Sequence, residues 1–447
     1  LFYSDALASN KLLIIGAGLA GCEAAWQAAR RGIDLELWEM KPRRFSPAHH
    51  SPDLAELVCS NSLRSSDLQN AVGLLKEEMR LLGSLVMESA RINRVPAGKA
   101  LAVDREGFAR FITREIRENS HVRLVSRDAE ELPPFRPLIL ATGPLTTDEL
   151  ASALASSLGR EHLHFYDALA PIVYAETIDG TKAYRASRYD HGGDDYLNCP
   201  LSEDEYRLFV SRLLEAEQTP LHPFESIKYF EGCLPLEEMA RRGEETLRYG
   251  PLKPVGLPDP RSGRIPHAVV QLRQDNADGS LFNMVGFQTK LKWKDQERVF
   301  RLIPGLEQVE FARLGSVHRN TFVDGPRVLL PTLQLKTDAE IFLAGQITGV
   351  EGYVESAAMG ILAGINTARL MAGRPLVVPP PTTALGALVG HISRESQADF
   401  QPMNINFGLF PSLPGRVHRR ERGAYYARRA LEDFQTWMAL EGLDTEL

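Results

Sequence analysis

Short apolar runs, each feeding a segment of helical period, mark both ends of this chain, whereas its middle follows no such alternation. Lys11-Leu-Leu-Ile-Ile15 reads as a buried strand, residues 22–31 as a helix, and Leu35-Glu-Leu-Trp38 as a second strand ending on Glu39. A helix is predicted over 69–90, where Leu75, Met79, Leu82 and Val86 recur at helical spacing, and another over 105–119. Strands follow at 122–125 and 137–143, the second closing on Ala141-Thr142-Gly143. From about 150 to 320 the chain is richer in Tyr, Pro and charge, with strand material at 166–177 and 269–287 and a helix at 203–216. Alternation then returns: a strand at 341–345, a glycine turn, and a helix of small and apolar residues over 354–371. After the Pro379–Pro381 linker, a last helix from 421 shows Ala427, Leu431, Phe434 and Met438 on one face, so it should dock on the body.

The turn after the first strand reads Gly16-Ala17-Gly18-Leu19-Ala20-Gly21. With a strand before it, a helix after it and Glu39 at the tip of the next strand, this is a complete dinucleotide-binding fingerprint. Gly16 allows the tight turn, Gly18 lets the backbone approach a pyrophosphate, and Gly21 lets the helix pack closely on the strand. The helix N-terminus offers N–H groups and a positive dipole end to the phosphates, and Glu39 can accept from a ribose hydroxyl. The turn Gly345-Gln346 through Glu351-Gly352-Tyr353 mirrors the first unit. Two such units closing on one ligand are the plan of FAD enzymes of the glutathione-reductase class, which favours FAD over NAD as the bound cofactor. The fold expected is therefore α/β: a discontinuous, glutathione-reductase-like FAD-binding Rossmann-type domain formed by 1–150 and 321–447, with a smaller α+β domain, 151–320, inserted. Thr142 and Gly143 fall near the adenosine half, Lys41 or Arg44 near phosphate, and Glu351 either faces the flavin or simply starts the helix.

Composition adds exclusions. Apolar content of 44% and charged content of 24% are those of an ordinary globular protein, and no apolar run reaches the ~18 residues of a membrane span. The first residues carry no basic region followed by an apolar core, as a signal peptide would. Cys22, Cys59, Cys199 and Cys233 are scattered without a CxxC pair, which fits a reducing cytoplasm and indicates neither zinc nor a dithiol redox centre. His49-His50 lacks further ligands at metal spacing, and Asp194-Asp195 reads as a turn; no metal is expected. Net charge is −7, which argues against a general nucleic-acid coat but leaves patches open. One patch holds Lys290 and Lys292 beside Trp293. A denser one holds Arg416, Arg419, Arg420 and Arg422 with Tyr425 and Tyr426. Both read either as RNA contacts or as solvated, ion-paired helix faces.

Longer strings are more specific. Val58-Cys-Ser-Asn-Ser-Leu-Arg64, Phe230-Glu-Gly-Cys-Leu-Pro235, Arg248-Tyr-Gly-Pro-Leu-Lys-Pro-Val-Gly256, Val285-Gly-Phe-Gln-Thr-Lys-Leu-Lys292 and Gly345-Gln-Ile-Thr-Gly-Val-Glu-Gly-Tyr-Val-Glu-Ser356 occur in order. In these the chain resembles, over nearly its whole length, the folate-dependent tRNA uridine-5-methyltransferases, the TrmFO or small Gid family. The longer Gid relatives that modify the wobble uridine share the flavin plan but extend further at the C-terminus.

The resemblance implies FAD as cofactor, methylenetetrahydrofolate as one-carbon donor, NADPH or NADH as reductant, and the T-arm of tRNA as substrate, its T-loop uridine becoming ribothymidine. It also implies two active-site thiols. Uracil C5 is a poor nucleophile until something adds at C6, and a thiolate suits that addition. Cys233 is assigned the addition and Cys59 the second thiol, with the order of the two roles open; Tyr353 is placed to stack near flavin or uracil. Lys290, Lys292 and the C-terminal arginines are the expected RNA contacts. By residue type alone each cysteine reads more readily as a small buried apolar residue, and Cys22 and Cys199 keep that reading. A flavin oxidoreductase acting on a small molecule, and a non-catalytic tRNA-binding module holding FAD as a prop, are the rival readings.

Overall fold

The computed structural model describes residues 11–158, 162–168, 170–188, 195–218, 234–275, 279–315, 317–394, 400, 402–413, 417–418 and 421–443. Strand β1 (Leu12–Ile15) is buried at every position. Gly16 turns the chain in the left-handed region, φ +96°, into α1 (Leu19–Arg30). The chain returns as β2 (Leu35–Glu39), parallel to β1 with Trp38 opposite Ile15. A small antiparallel sheet follows, β3 (Ser62–Ser65), β4 (Arg94–Val95) and β5 (Ala100–Val103), in the order β3-β5-β4.

Between β3 and β4 the periodicity predicts one helix, but there are two, α2 (Ala71–Leu81) and α3 (Leu85–Ile92). The break is Gly83, at φ +69°, followed by Ser84, whose hydroxyl caps α3 by accepting the Met87 N–H at 3.1 Å. Glu23, fully buried in α1, completes the cap by accepting the Val86 N–H at 2.8 Å and the Ser84 hydroxyl. Next come α4 (Arg105–Glu118), capped by Asp104, then β6 (Val122–Ser126), β7 (Leu138–Leu140) and α5 (Asp148–Leu158).

The middle of the chain contains β8 (His162–Ala168), β9 (Ile172–Tyr174), β10 (Tyr184–Arg185), β11 (Tyr196–Leu201), α6 (Glu203–Glu215), α7 (Leu236–Arg241), α8 (Thr246–Tyr249), β12 (Ala268–Gln274), β13 (Leu281–Met284), α9 (Trp293–Phe300), β14 (Phe311–Arg313), β15 (Val317–Val323) and the short α10 (Gly325–Val328). Six of these strands form an antiparallel sheet in the order β10-β11-β12-β13-β9-β14. The α6 residues Tyr206, Phe209 and Leu213 pack with Val270 and Leu272 of β12 and Phe300 of α9 in a core of their own. α6 starts at a full capping box, Ser202 with Glu205. The stretch 269–287 thus resolves into two strands and a turn. The core changes over between Leu154 and Ala170 and back between Val309 and Phe322, and the pair β8 and β15 runs antiparallel across both transitions.

The chain then rejoins the first core with β16 (Ile341–Leu343), α11 (Tyr353–Met371), α12 (Ala384–Ser393) and α13 (Arg422–Glu441). β16 completes a five-stranded parallel sheet, β16-β7-β1-β2-β6, the Rossmann-type sheet expected. α11 is buried on nearly every side and crosses α1 without intervening side chains. A Cβ at Gly360 would lie 2.2 Å from the Ala20 carbonyl oxygen, and one at Gly364 2.5 Å from that of Ala24. Glu78, buried in α2, accepts the Ala384 and Leu385 N–H groups at 2.7 and 2.8 Å and so caps α12. α13 docks through Ala427, Ala430, Phe434, Trp437 and Met438, with Leu431 partly buried beside them.

Candidate active site

From β1 the parallel sheet grows through β2 to β6 on one side and through β7 to β16 on the other, so the strand order reverses beside β1. In such sheets the crevice at the carboxyl ends beside the reversal takes the ligand. A cleft lies there. Gly16, Ala17, Gly18, Leu19 and Ala20 line it after β1, Trp38, Glu39 and Lys41 after β2, Thr142 and Gly143 after β7, and Gly345 and Gln346 after β16. Gly21 lies beneath this surface: a Cβ there would sit 1.7 Å from the Gly16 carbonyl oxygen, so its role is helix-to-strand packing.

The cleft fits a dinucleotide. Gly18 has open space where a Cβ would point, nothing lying within 4 Å. α1 begins there with neither a side-chain cap nor an acidic residue in its first turn, so the N–H groups and positive end of the helix suit a pyrophosphate. Glu39 is buried, accepting the Ala17 N–H at 2.8 Å and the Lys41 N–H at 3.0 Å, which braces the loop that it borders. Arg127 lies 4.1 Å over the Trp38 ring at the same end.

Three expected cofactor contacts fall elsewhere. Arg44 is not in the lining: its side chain is half exposed and pairs with Asp128 at 2.7 Å. Lys41 takes the inner position, with its ammonium on the Asp53 carbonyl. Glu351 and Gly352 also lie behind the lining, where the Met403 carbonyl accepts the Glu351 N–H and Gly352, φ +107°, starts α11.

The thiol side of the cleft is built by an irregular loop, Leu57 to Asn61, carrying half-buried Cys59. Tyr353, the first residue of α11, also lines the cleft, and its phenolic oxygen accepts the N–H groups of Cys59 at 2.6 Å and Ser60 at 3.2 Å. Burial pushes that phenol up, out of reach of ionisation at neutral pH. The carbonyl side of the loop faces guanidinium groups. Arg105 donates to the Leu57 oxygen, Arg313 to those of Val58 and Cys59, and Arg273 to the Asn61 and Ser60 side chains. Arg105 is itself held by Asp275 at 2.8 Å. Cys22 and Cys199 are fully buried, and burial pushes both thiols up, Cys199 to about 12, which keeps them protonated. Cys233 lies outside the described residues.

The basic patches divide. Lys290 is buried and its ammonium pairs with Glu238, while its N–H donates to Glu237 at 2.7 Å; this corrects its expected role as an RNA contact. Lys292 is exposed and pairs with Glu217 at 2.7 Å. Arg416, Arg419 and Arg420 lie outside the described residues, and Arg422 is exposed at the start of α13. There Arg428 and Arg429 lie 5.0 and 5.3 Å over the Tyr425 and Tyr426 rings. Among the described residues no cluster suits a metal ion and no helix is long and apolar enough to cross a membrane.

Sequence reasoning passed over Arg105, Arg273, Asp275 and Arg313. They come from α4, β12 and its end, and β14, and no local pattern joins positions so far apart.

The family model described as glucose inhibited division protein A matches residues 11–375. A methylenetetrahydrofolate--tRNA-(uracil-5-)-methyltransferase TrmFO of Geobacter sulfurreducens is 61% identical over 432 residues, 96% of this chain and 99% of that protein. One so named from Heliobacterium modesticaldum is 57% identical over 427 residues, covering 95% and 97%. The Aquifex aeolicus GidA structure in its form I crystal is 16% identical, with a TM-score of 0.72 over 98% of this chain and 76% of that one, and shares its fold. The sequence identity, the matched length and the parallel sheet with its glycine-lined cleft agree: this chain belongs to the TrmFO family, within the glucose inhibited division protein A group.

Proposed function

We propose that this chain methylates C5 of a uracil in tRNA, taking the one-carbon unit from methylenetetrahydrofolate, with FAD held in the cleft. The observation that carries this reading is that Cys59 opens on the same cleft as the uncapped N-terminus of α1. The first turn of α1 would hold the pyrophosphate, Glu39 the adenosine ribose, and Gly345 and Gln346 the flavin half. When bound, FAD supplies the carrier for the one-carbon unit and the hydride that completes the methyl group. One thiolate, that of Cys233 or Cys59, adds to uracil C6 and sends an electron pair to C5; once the new carbon is attached the other sulfur, as its thiolate, takes the C5 proton, and the first thiolate finally leaves C6 as the C5=C6 double bond reforms. Tyr353 stays neutral and holds the Cys59 loop against the cleft. The substrate proposed is the T-loop uridine, the reductant NADPH or NADH, and the C-terminal arginines are the proposed tRNA contacts.

The test is mass analysis of tRNA lacking ribothymidine after incubation with isotope-labelled methylenetetrahydrofolate and NADPH or NADH. The reading expects labelled ribothymidine in the T-loop fragment, and its loss in Cys233→Ala and Cys59→Ala proteins that still carry FAD. Label at another nucleotide would overturn the T-loop assignment. Full activity in either variant would remove that thiol from the mechanism.

A further inference from the structure

We propose that Arg313 is a positioning residue for Cys59, a fork reaching from the inserted sheet to hold the thiol-bearing loop by its carbonyl groups. The inference rests on Cys59 taking part in the reaction. Arg313 ends the edge strand β14, whose register against β9 slips between Phe311 and Arg313. Such a bulge re-aims the side chain beside it, and here the guanidinium crosses to the loop. One nitrogen donates to the Val58 oxygen; another donates to the Cys59 oxygen at 3.2 Å and the Ala170 oxygen at 3.3 Å. With Tyr353 accepting the Cys59 and Ser60 N–H groups, the peptide groups flanking the thiol are gripped on both sides.

The charge balance points the same way. Arg313 is half-buried and bonds carbonyl oxygens; among the described residues no carboxylate pairs with it. Burial and then the like charge of Arg105 bring it down to about 10, so it stays cationic at neutral pH. Among the described residues, the charged and titratable groups facing Cys59 or its arginines include Arg105 of α4, Arg273 and Asp275 at the end of β12, Arg313 of β14, Tyr196 of β11 and Tyr353 of α11. Among the described residues, three guanidinium groups therefore meet one carboxylate. Three cations beside the loop favour the anionic form of a sulfur at Cys59.

The experiment compares Arg313→Gln and Arg313→Lys with the unmodified chain, all loaded with FAD. Three quantities are read: the pH midpoint of Cys59 alkylation by iodoacetamide, followed on its peptide by mass spectrometry; kcat and KM for tRNA methylation; and flavin absorbance. Arg313→Gln is expected to retain FAD, to raise the alkylation midpoint by about 0.5 pH unit or more, and to lower kcat about tenfold or more with little change in KM for tRNA. Arg313→Lys keeps the charge but cannot span two carbonyls, so its midpoint returns toward that of the unmodified chain while kcat stays low. An unchanged midpoint and kcat in Arg313→Gln overturns the proposal. Should that variant fail to hold FAD, Arg313→Lys decides: full kcat there overturns the fork. If the unmodified chain methylates no uracil, the functional reading fails separately, and the alkylation profile still tests the grip on Cys59.

Discussion

The phenolic oxygen of Tyr353 lies 2.6 Å from the backbone nitrogen of Cys59, although 294 residues separate them in sequence. The residue that opens α11 beside the second glycine turn thus sets the height of the loop that carries the thiol. Replacing Tyr353 by Phe removes one oxygen and leaves the Cys59 and Ser60 N–H groups without their acceptor. A cost of roughly 1–3 kcal/mol per buried group follows. The variant should unfold at lower temperature and lose most of its kcat while keeping its flavin, as thermal melts and turnover assays will read; wild-type turnover would rule out a positioning role for the phenol.

Two glycines of one loop should fail in different ways. Gly18 has room for a methyl group and ordinary backbone angles, φ −74° and ψ −167°. Gly18→Ala should therefore fold as well as the parent without flavin, yet bind FAD weakly, because its methyl occupies the ligand's space. Gly21→Ala drives a Cβ into the Gly16 carbonyl, so the protein itself should be destabilised, by several kcal/mol if the helix cannot shift. Flavin content at 450 nm and melting of the apoprotein separate the two.

Buried carboxylates make stability depend on pH in an unusual direction. Burial raises Glu78 from 4.5 to about 8 and Glu23 from 4.5 to about 7. The folded chain therefore holds these protons more tightly than the unfolded one. That contribution is complete below about pH 4.5 and is lost as pH rises toward 7 to 8, at no more than about 1.4 kcal/mol per pH unit for each group. Unfolding midpoints should fall between pH 5 and 8, and Glu78→Gln should flatten the decline. A midpoint that rises across this range in the parent would contradict the assignment.

The salt dependence of tRNA binding separates the two basic patches. Neutralising Arg416, Arg419, Arg420 and Arg422 together should weaken binding and reduce the slope of log K against log salt by roughly 0.7–0.9 for each phosphate that the arginines no longer neutralise. Lys290→Gln should leave that slope unchanged, since its ammonium is turned onto Glu238, and should instead lower the melting temperature.

The parallel sheet, the glycine-lined end of the cleft and the docking of α13 were legible because each rests on local pattern: apolar runs of strand length, glycines at fixed spacing, and a 3.6-residue stripe ending in Phe434 and Met438. The division of 69–90 into two helices was not, because Leu75, Met79, Leu82 and Val86 keep helical spacing across Gly83, and only its left-handed backbone stops the helix. Lys290 misled for a related reason. A lysine in the run Thr289-Lys290-Leu291-Lys292 looks like a surface cation until its carboxylate partner, Glu238 on α7, is known. Of Lys41 and Arg44, the two alternatives beside phosphate, Lys41 lines the cleft, because Asp128, distant in sequence, draws Arg44 outward. The guanidinium groups round Cys59 carry no motif at all.

The seam where Gly360 and Gly364 rest on the backbone of Ala20 and Ala24 has a consequence for how the protein is made. At those two positions backbone meets backbone, so the contact forms only when both helices are present. The nascent polypeptide must therefore wait, with one face of its first helix uncovered, until the ribosome has delivered more than three hundred further residues, including the whole inserted sheet. Flavin loading is thus a late event in biosynthesis, and truncated translation products ending before α11 should emerge colourless.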